Sequence, residues 1–95
     1  MKLLKVERSS VKNKKYTAIF DLGDKTKQVH FGSKESSTYL DHHDKKKREN
    51  YIKRHTVREN VNDPLTAGSL SRWLLWGNTT SLRDNIAAFK NRFNL

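Results

Sequence analysis

The chain has 95 residues, no cysteine, and a formal net charge of +10 with an isoelectric point near 10.1. This length fits a single domain, the lack of cysteine excludes disulfides and thiolate chemistry, and no apolar run, Trp73 to Trp76 included, is long enough to cross a membrane. Nine aromatic residues argue against a disordered chain in spite of a mean hydropathy of −0.94.

The first third of the chain has the pattern of a small sheet. Apolar residues alternate with polar ones over 15–22 and again over 25–31, and Gly23-Asp24 between them is typical of a tight turn. These features predict a β-hairpin over residues 15–31. A hairpin alone is marginal in water, so we expect residues 2–8 to add a third antiparallel strand.

A helix is predicted to begin near Tyr39–Asp41, after a loop over residues 32–37, and to continue to about Arg58. Ser37, Thr38 and Asp41 are the candidates for its N-cap. Residues 60–64 should break the chain, because Pro64 disfavours helix at the residue before it.

Two further helices are expected in the last third of the chain. The first should span about 66–76 and end at Gly77 in a left-handed conformation. The second should be capped by Thr79, Thr80 or Ser81. Its apolar residues recur at helical spacing and form one stripe of Leu82, Ile86, Phe89 and Phe93. The predicted fold class is therefore α+β, a short antiparallel sheet followed by three helices, in a single domain over 1–95 with a β part (1–31) and a helical part (38–95).

Positive charge is concentrated in the first 60% of the chain. Residues 1–31 hold eight Lys/Arg against three Asp/Glu, residues 41–58 seven against three, and residues 59–95 four against three. Seven cations fall on the first predicted helix, and we expect them to bind nucleic acid: Lys45, Lys46, Lys47, Arg48, Lys53, Arg54 and Arg58. A phosphate backbone favours such an array because each neutralised phosphate releases counterions. An acidic protein surface and plain solvation of the helix are the alternatives.

The Lys45–Arg48 run covers a full helical turn and is expected to face water or a polyanion. No sequence signature of base-specific recognition is present, so any DNA binding should be sequence-nonspecific.

The histidines do not form a metal-binding pattern. His42 and His43 are adjacent and would point about 100° apart on a helix, whereas zinc ligands on a helix are spaced by three or four residues. No phosphate loop, nucleophile motif or paired metal carboxylates accompany Asp41 and Asp44. The sequence therefore predicts no metal, cofactor or enzymatic activity, with a small metal-dependent nuclease as a distant alternative.

The segment from Thr66 to Gly77 contains two tryptophans three residues apart. One interpretation is a core helix packed on the hairpin. The other is an anchor for a partner protein formed by Arg72, Trp73 and Trp76, because Trp and Arg are favoured in protein interfaces.

Over about residues 15–95 the chain contains the segments KYTAIF, VHFGSKESSTYLDHHDKKKRENYIKRH, REN, VNDPLTAGSLSRWLLWG and SLRDNIAAFKNRF. By this combination the chain resembles small basic proteins of unknown function from giant nucleocytoplasmic DNA viruses. The resemblance implies a viral, non-enzymatic protein and assigns no site residues. It favours a protein that packages genomic nucleic acid or, alternatively, a minor capsid protein that cements other structural proteins. We expect it in the virion or in the host cytoplasm or nucleus, neither secreted nor in contact with membranes.

Overall fold

The computed structural model describes residues 1–55 and 60–95. Three antiparallel strands form a meander in the order β1-β2-β3: β1 (Lys2–Arg8), β2 (Lys14–Asp21) and β3 (Thr26–Ser33). Helices α1 (Tyr39–His42), α2 (Lys45–His55), α3 (Ala67–Leu70) and α4 (Leu82–Phe93) follow. A π-helical turn, Ser71–Leu75, continues α3. The predicted α+β class, a three-stranded sheet followed by helices, is confirmed.

The sheet has the register that the alternation predicts. Tyr16 pairs with Phe31 and Ala18 with Val29, so that the apolar side chains of β2 and β3 share one face. Gly23 makes the hairpin turn possible because its φ of 98° is costly for residues with a side chain. Its N–H donates to the Asp21 carboxylate at 2.8 Å, which closes the turn.

The core lies between this face of the sheet and the last two helical segments. Phe20 and Phe31 are fully buried, as are Leu70 and Leu74, and Phe89 of α4 is 1% exposed. Leu82, Ile86 and Phe93 pack around the same cluster, so the predicted stripe is the buried face of α4. The cap of α4 is Ser81, one of the three expected residues, and its hydroxyl accepts the Asp84 N–H at 3.3 Å.

The single helix predicted from Tyr39–Asp41 to Arg58 is wrong in one respect, because it is broken after His42. His43 has a φ of 56° and ends α1, since this left-handed conformation cannot continue a helix. The Asp44 carboxylate then accepts the N–H groups of Lys46 and Lys47, at 2.9 and 3.2 Å, and so begins α2. The end predicted at Arg58 lies outside the described residues.

The helix predicted over about 66–76 is present as α3 and the π-helical turn, which ends at Leu75, but the left-handed conformation expected at Gly77 is wrong. The glycines with positive φ in the described chain are Gly23 and Gly32. At Gly77 a side chain is excluded by space instead, because a Cβ there would collide with the carbonyl oxygen of Trp73 and would lie 2.7 Å from Cγ of Asn85.

Asn85 fastens the loop after the π-helical turn onto α4. Its Nδ2 group donates to the carbonyls of Leu74 and Thr79, both at 3.0 Å, and its Oδ1 accepts the hydroxyl of Thr79 at 2.8 Å. The residue is 2% exposed, so these bonds satisfy an amide that would otherwise be costly to bury.

Candidate functional site

Helix α2 places its predicted nucleic-acid-binding cations in two different environments. Five of them are exposed: Lys45, Lys46, Lys47, Lys53 and Arg54. Arg48 is partly buried, and Arg58 lies outside the described residues.

Arg48 departs from the expectation that the whole Lys45–Arg48 turn faces solvent or a ligand. Its Nε donates to the carbonyl of Gly77 at 2.7 Å and its Nη2 to Oδ1 of Asn78 at 2.8 Å. Its guanidinium also lies 5.6 Å from the centre of the Tyr39 ring. Arg48 therefore links α2 to the loop after the π-helical turn, a structural role that the charge pattern alone does not distinguish from ligand binding.

A cleft of about 900 Å³ separates α2 from β3, the loop after it, and α3. Its ionisable lining consists of Lys14, Lys47, Lys53 and Arg54 together with His42 and His55. Neither Asp nor Glu occurs among the lining residues that the structure describes. Several neutral hydrogen-bonding side chains also line it, namely Ser33, Ser36, Ser37, Thr38, Asn50 and Ser71. The arrangement can bind anionic groups and hydrogen-bond to them.

Within the described part of the chain the cations of this cleft form no ion pair with a carboxylate, although the charge of Lys47 contributes to the lowered pKa of Asp44. The ion pairs found over residues 1–55 and 60–95 are Lys5 with Glu7 at 3.3 Å and Lys15 with Asp41 at 3.5 Å, and neither involves a cleft cation. The positive potential inside the cleft therefore stays available to an external anion.

One wall of the cleft is a column of aromatic rings that holds α2 against the rest of the molecule. The ring of Tyr51 stacks on Trp76 with centroids 4.3 Å apart and an interplanar angle of 5°. On its other side Tyr51 stacks on His55 at 4.1 Å. His42 lies 5.3 Å from Trp76 at an angle of 55°. These rings fix the distance between the cations of α2 and the opposite wall.

His42 has a defined tautomer and an unused donor. Its Nδ1 accepts the backbone N–H of Asp44 at 2.9 Å, so the proton of a neutral ring lies on Nε2. Nε2 is buried and has no hydrogen-bond partner within residues 1–55 and 60–95. Although His42 lines the cleft, its Nε2 has almost no accessible surface, so this donor stays unpaired inside the protein.

The predicted partner-binding residues contact different elements. Trp76 packs on α1 and α2 through His42 and Tyr51, whereas Nε1 of Trp73 donates to the carbonyl of Val61 at 2.8 Å. Both tryptophans are partly buried. They combine core packing with some exposed ring surface, so the proposed role as a partner anchor stays a prediction.

Arg72 is largely buried within the molecule. It is 9% exposed, its Nη1 donates to the carbonyl of Trp76 at 3.0 Å, and its guanidinium lies 4.2 Å from the Trp73 ring centre. Arg92 lies 3.9 Å from the same ring. Burial is the main cause that lowers the pKa of Arg72, and repulsion from Arg48 and Arg92 adds to it.

Two carboxylates with lowered pKa values stabilise helix starts. The backbone N–H of Thr38 donates to Asp41 at 2.8 Å and is the main cause that lowers the pKa of Asp41 below its usual 3.8. Partial burial opposes this effect, whereas the Thr38 hydroxyl and Lys15 reinforce it. The backbone N–H of Lys47 is likewise the main cause that lowers the pKa of Asp44. Of the three N-cap candidates expected from the sequence, Thr38 is the N-cap of α1, whereas Asp41 is the third residue of the helix and completes the capping box.

The sequence did not indicate Lys14, which lies at the start of β2 and faces α2 across the cleft. Residues 9–14 have the composition of a turn, and nothing in that pattern shows which element a lysine there will face. Only the packing of the sheet against the helices brings Lys14 near the cations of α2.

Within the part of the chain that the structure describes, no group of three or more His, Cys, Asp or Glu side chains is placed to hold a metal ion. Helices long and apolar enough to cross a bilayer are likewise absent from residues 1–55 and 60–95.

Comparison with curated proteins and with solved structures found no match. Residues 4–55 match a protein family described as "Family of unknown function (DUF5754)". The matched segment contains the sheet, α1 and α2, and therefore most of the charged wall of the cleft, and it ends before the tryptophan-bearing helix. Because the match covers more than half of the 95 residues, the chain belongs to this family of unknown function, DUF5754.

Proposed function

We propose that the protein binds nucleic acid, without sequence specificity and most simply DNA, or another polyanion, and that the cleft beside α2 is the binding site. The observation that supports this most directly is the composition of the cleft, where Lys14, Lys47, Lys53 and Arg54 meet no carboxylate among the described lining residues. The role is one of binding rather than catalysis.

The physical argument is the cost of holding like charges together. Four cations around one concavity raise each other's free energy and attract counterions from solution. A polyanion that displaces these counterions gains entropy, so its affinity should fall steeply as salt is added. Phosphate contacts of this kind position a nucleic acid without reading its bases.

A salt titration with matched variants tests the proposal. The triple variant Lys47→Gln, Lys53→Gln, Arg54→Gln removes three cleft cations, and Lys25→Gln, Lys27→Gln, Lys90→Gln removes three exposed cations from outside the cleft. DNA affinity is measured by fluorescence anisotropy at several salt concentrations. In the first variant, the slope of log affinity against log salt concentration should become shallower by about 0.9 per lost contact, or about 2.7 in all. The second variant should lose less than about one unit. Equal losses, or no binding by the wild type at about 50 mM salt, would refute the proposal.

The viral setting belongs to the same proposal. A compact polycation suits genome packaging in a large DNA virus, and the quoted segments over residues 15–95 support that origin. Mass spectrometry of purified particles should find the protein inside the virion together with the genome.

A second candidate, a minor capsid protein, is favoured by the free edge of the sheet. Strand β1 is an edge strand, and Leu4 at its bulge is 52% exposed. An apolar residue on an open edge can pair with a strand of another protein. If this role holds, Leu4→Lys should abolish incorporation into particles and leave DNA affinity unchanged. The nuclease alternative predicts cleavage of DNA when magnesium or manganese is added.

A further inference from the structure

A second, smaller cavity of about 190 Å³ opens where the β1–β2 connection meets the loop after β3. It is lined by Arg8, Ser9, Lys14, Lys15, Tyr16, Lys34 and Asp41. The carboxylate of Asp41 accepts the N–H of Thr38 and lies 3.5 Å from Nζ of Lys15. The other three lining cations, Arg8, Lys14 and Lys34, form no ion pair with a carboxylate among the described residues.

Lys14 lines both cavities and connects them. Together the two cavities place seven Lys/Arg side chains against one carboxylate, Asp41: Arg8, Lys14, Lys15, Lys34, Lys47, Lys53 and Arg54. These cations come from the end of β1, the start of β2 and the loop after β3, as well as from α2. The positive surface is therefore a track across one end of the sheet and not only a helix face.

We propose that this track binds single-stranded nucleic acid in preference to duplex, with Arg8, Lys14 and Lys34 continuing the path of the strand beyond α2. The inference rests on the proposed function and specifies its ligand. It extends the binding surface beyond the cleft to Arg8 and Lys34, two residues that the charge pattern of the sequence did not single out.

The shape of the surface favours a single strand. A duplex is a stiff rod, with a persistence length of about 150 base pairs, and proteins commonly read it by inserting an element into its major groove, which is about 12 Å wide. Here the cations line two adjoining concavities, and a stiff rod cannot bend to contact both linings at once. A flexible strand can enter, and grooves lined by cations and aromatic rings are the usual sites for single strands.

The uncharged lining of the larger cleft supports the same ligand. Ser36, Ser37 and Asn50 are exposed residues of the cleft lining, and their side chains carry hydroxyl and amide groups that can donate and accept hydrogen bonds. Single strands expose base edges that a duplex hides in pairing, so an unpaired strand offers these groups base partners as well as phosphate oxygens.

The preference can be measured with three fluorescent probes. These are a single-stranded oligothymidylate, a uridine strand of equal length, and a DNA duplex that contains the same total number of nucleotides. The wild-type protein should bind at least one of the single strands about tenfold more tightly than the duplex at equal salt. Comparison of the DNA strand with the RNA strand shows which kind of single-stranded nucleic acid the protein prefers. Tighter binding of either strand than of the duplex supports the inference.

The position of the track is tested with the double variant Arg8→Gln, Lys34→Gln, whose two cations line the smaller cavity and not the cleft beside α2. Neither side chain forms an ion pair within the described residues, so the fold should be retained, which circular dichroism checks. The salt slope for the single strand should fall by about 0.7 of a unit per contact, or about 1.4 units in all. The variant Lys25→Gln, Lys27→Gln is the matched control.

The outcomes separate the two proposals. Equal or tighter binding of the duplex, or a slope unchanged by the sheet-end variant, would overturn the single-strand track and leave the proposed function standing. If none of the probes binds at about 50 mM salt, both proposals fail.

Discussion

Asn85 shows how a single buried amide can determine the conformation of a loop. It bonds to the carbonyls of Leu74 and Thr79 and to the hydroxyl and N–H of Thr79. Asn85→Ala should lower the free energy of unfolding by about 2–3 kcal/mol, because the buried carbonyl of Leu74 would lose its side-chain partner. Urea denaturation measures the loss. Asn91→Ala, at an exposed position of the same helix, should change stability by less than about 0.5 kcal/mol.

The contribution of Asp41 to the free energy of unfolding depends on pH. Its pKa is lowered in the folded state, so it contributes stability above its usual 3.8, and this contribution is lost as the pH falls through the folded-state pKa. Asp41→Asn should therefore cost about 0.5–1 kcal/mol at pH 6 and less at pH 2.

Denaturant titrations of Asp41→Asn and wild type over this pH range measure the difference. Asp24→Asn, in the exposed hairpin turn, is the control. A cost that is the same at both pH values would show that the carboxylate charge has no part in the helix cap.

Individual residues were predictable where local bonding determines their role. Ser81 was among the expected caps because a hydroxyl before an apolar helix has a partner three residues later. The reason for Gly77 was not predictable, since the groups that exclude a side chain there, Trp73 and Asn85, meet only in the folded molecule.

At the scale of elements, α2 depends on one aromatic contact to reach its position. Tyr51 stacks on Trp76, and Arg48 adds the bonds to Gly77 and Asn78. Trp76→Ala should therefore loosen α2 while the sheet stays folded. Amide hydrogen exchange should quicken about tenfold or more in residues 45–55, with a smaller change at Ala18 and Phe20. Equal acceleration in both elements would mean that α2 and the sheet unfold as one unit.

The elements were predictable in proportion to the strength of their periodicity. The alternation over 15–31 and the stripe of α4 are strong patterns, and both produced the expected structures. The region of α1 and α2 has few apolar residues, so its periodicity is weak and the break was decided by Asp44, whose carboxylate favours a new helix start over a continuous helix. The π-helical turn has no recognised sequence signature.

At the scale of the whole molecule, the sequence predicts the amount of positive charge but not how the cations are arranged in space. Composition gives +10 and places most of it before residue 59. The cleft arises because the sheet brings Lys14 opposite Lys47 and Arg54, residues that are far apart along the chain. Arg48, which the sequence groups with the ligand-binding cations, instead donates hydrogen bonds to Gly77 and Asn78.

The central claim, that the concavity beside α2 is where an anion binds, is tested most directly by NMR. Amide shifts recorded during titration with an oligothymidylate should move at Gly32, Ser36 and Asn50, which line the cleft, and stay still at Gly23 and Ala88, which lie outside it. Shifts confined to residues outside both cavities, or none at all, would contradict the claim.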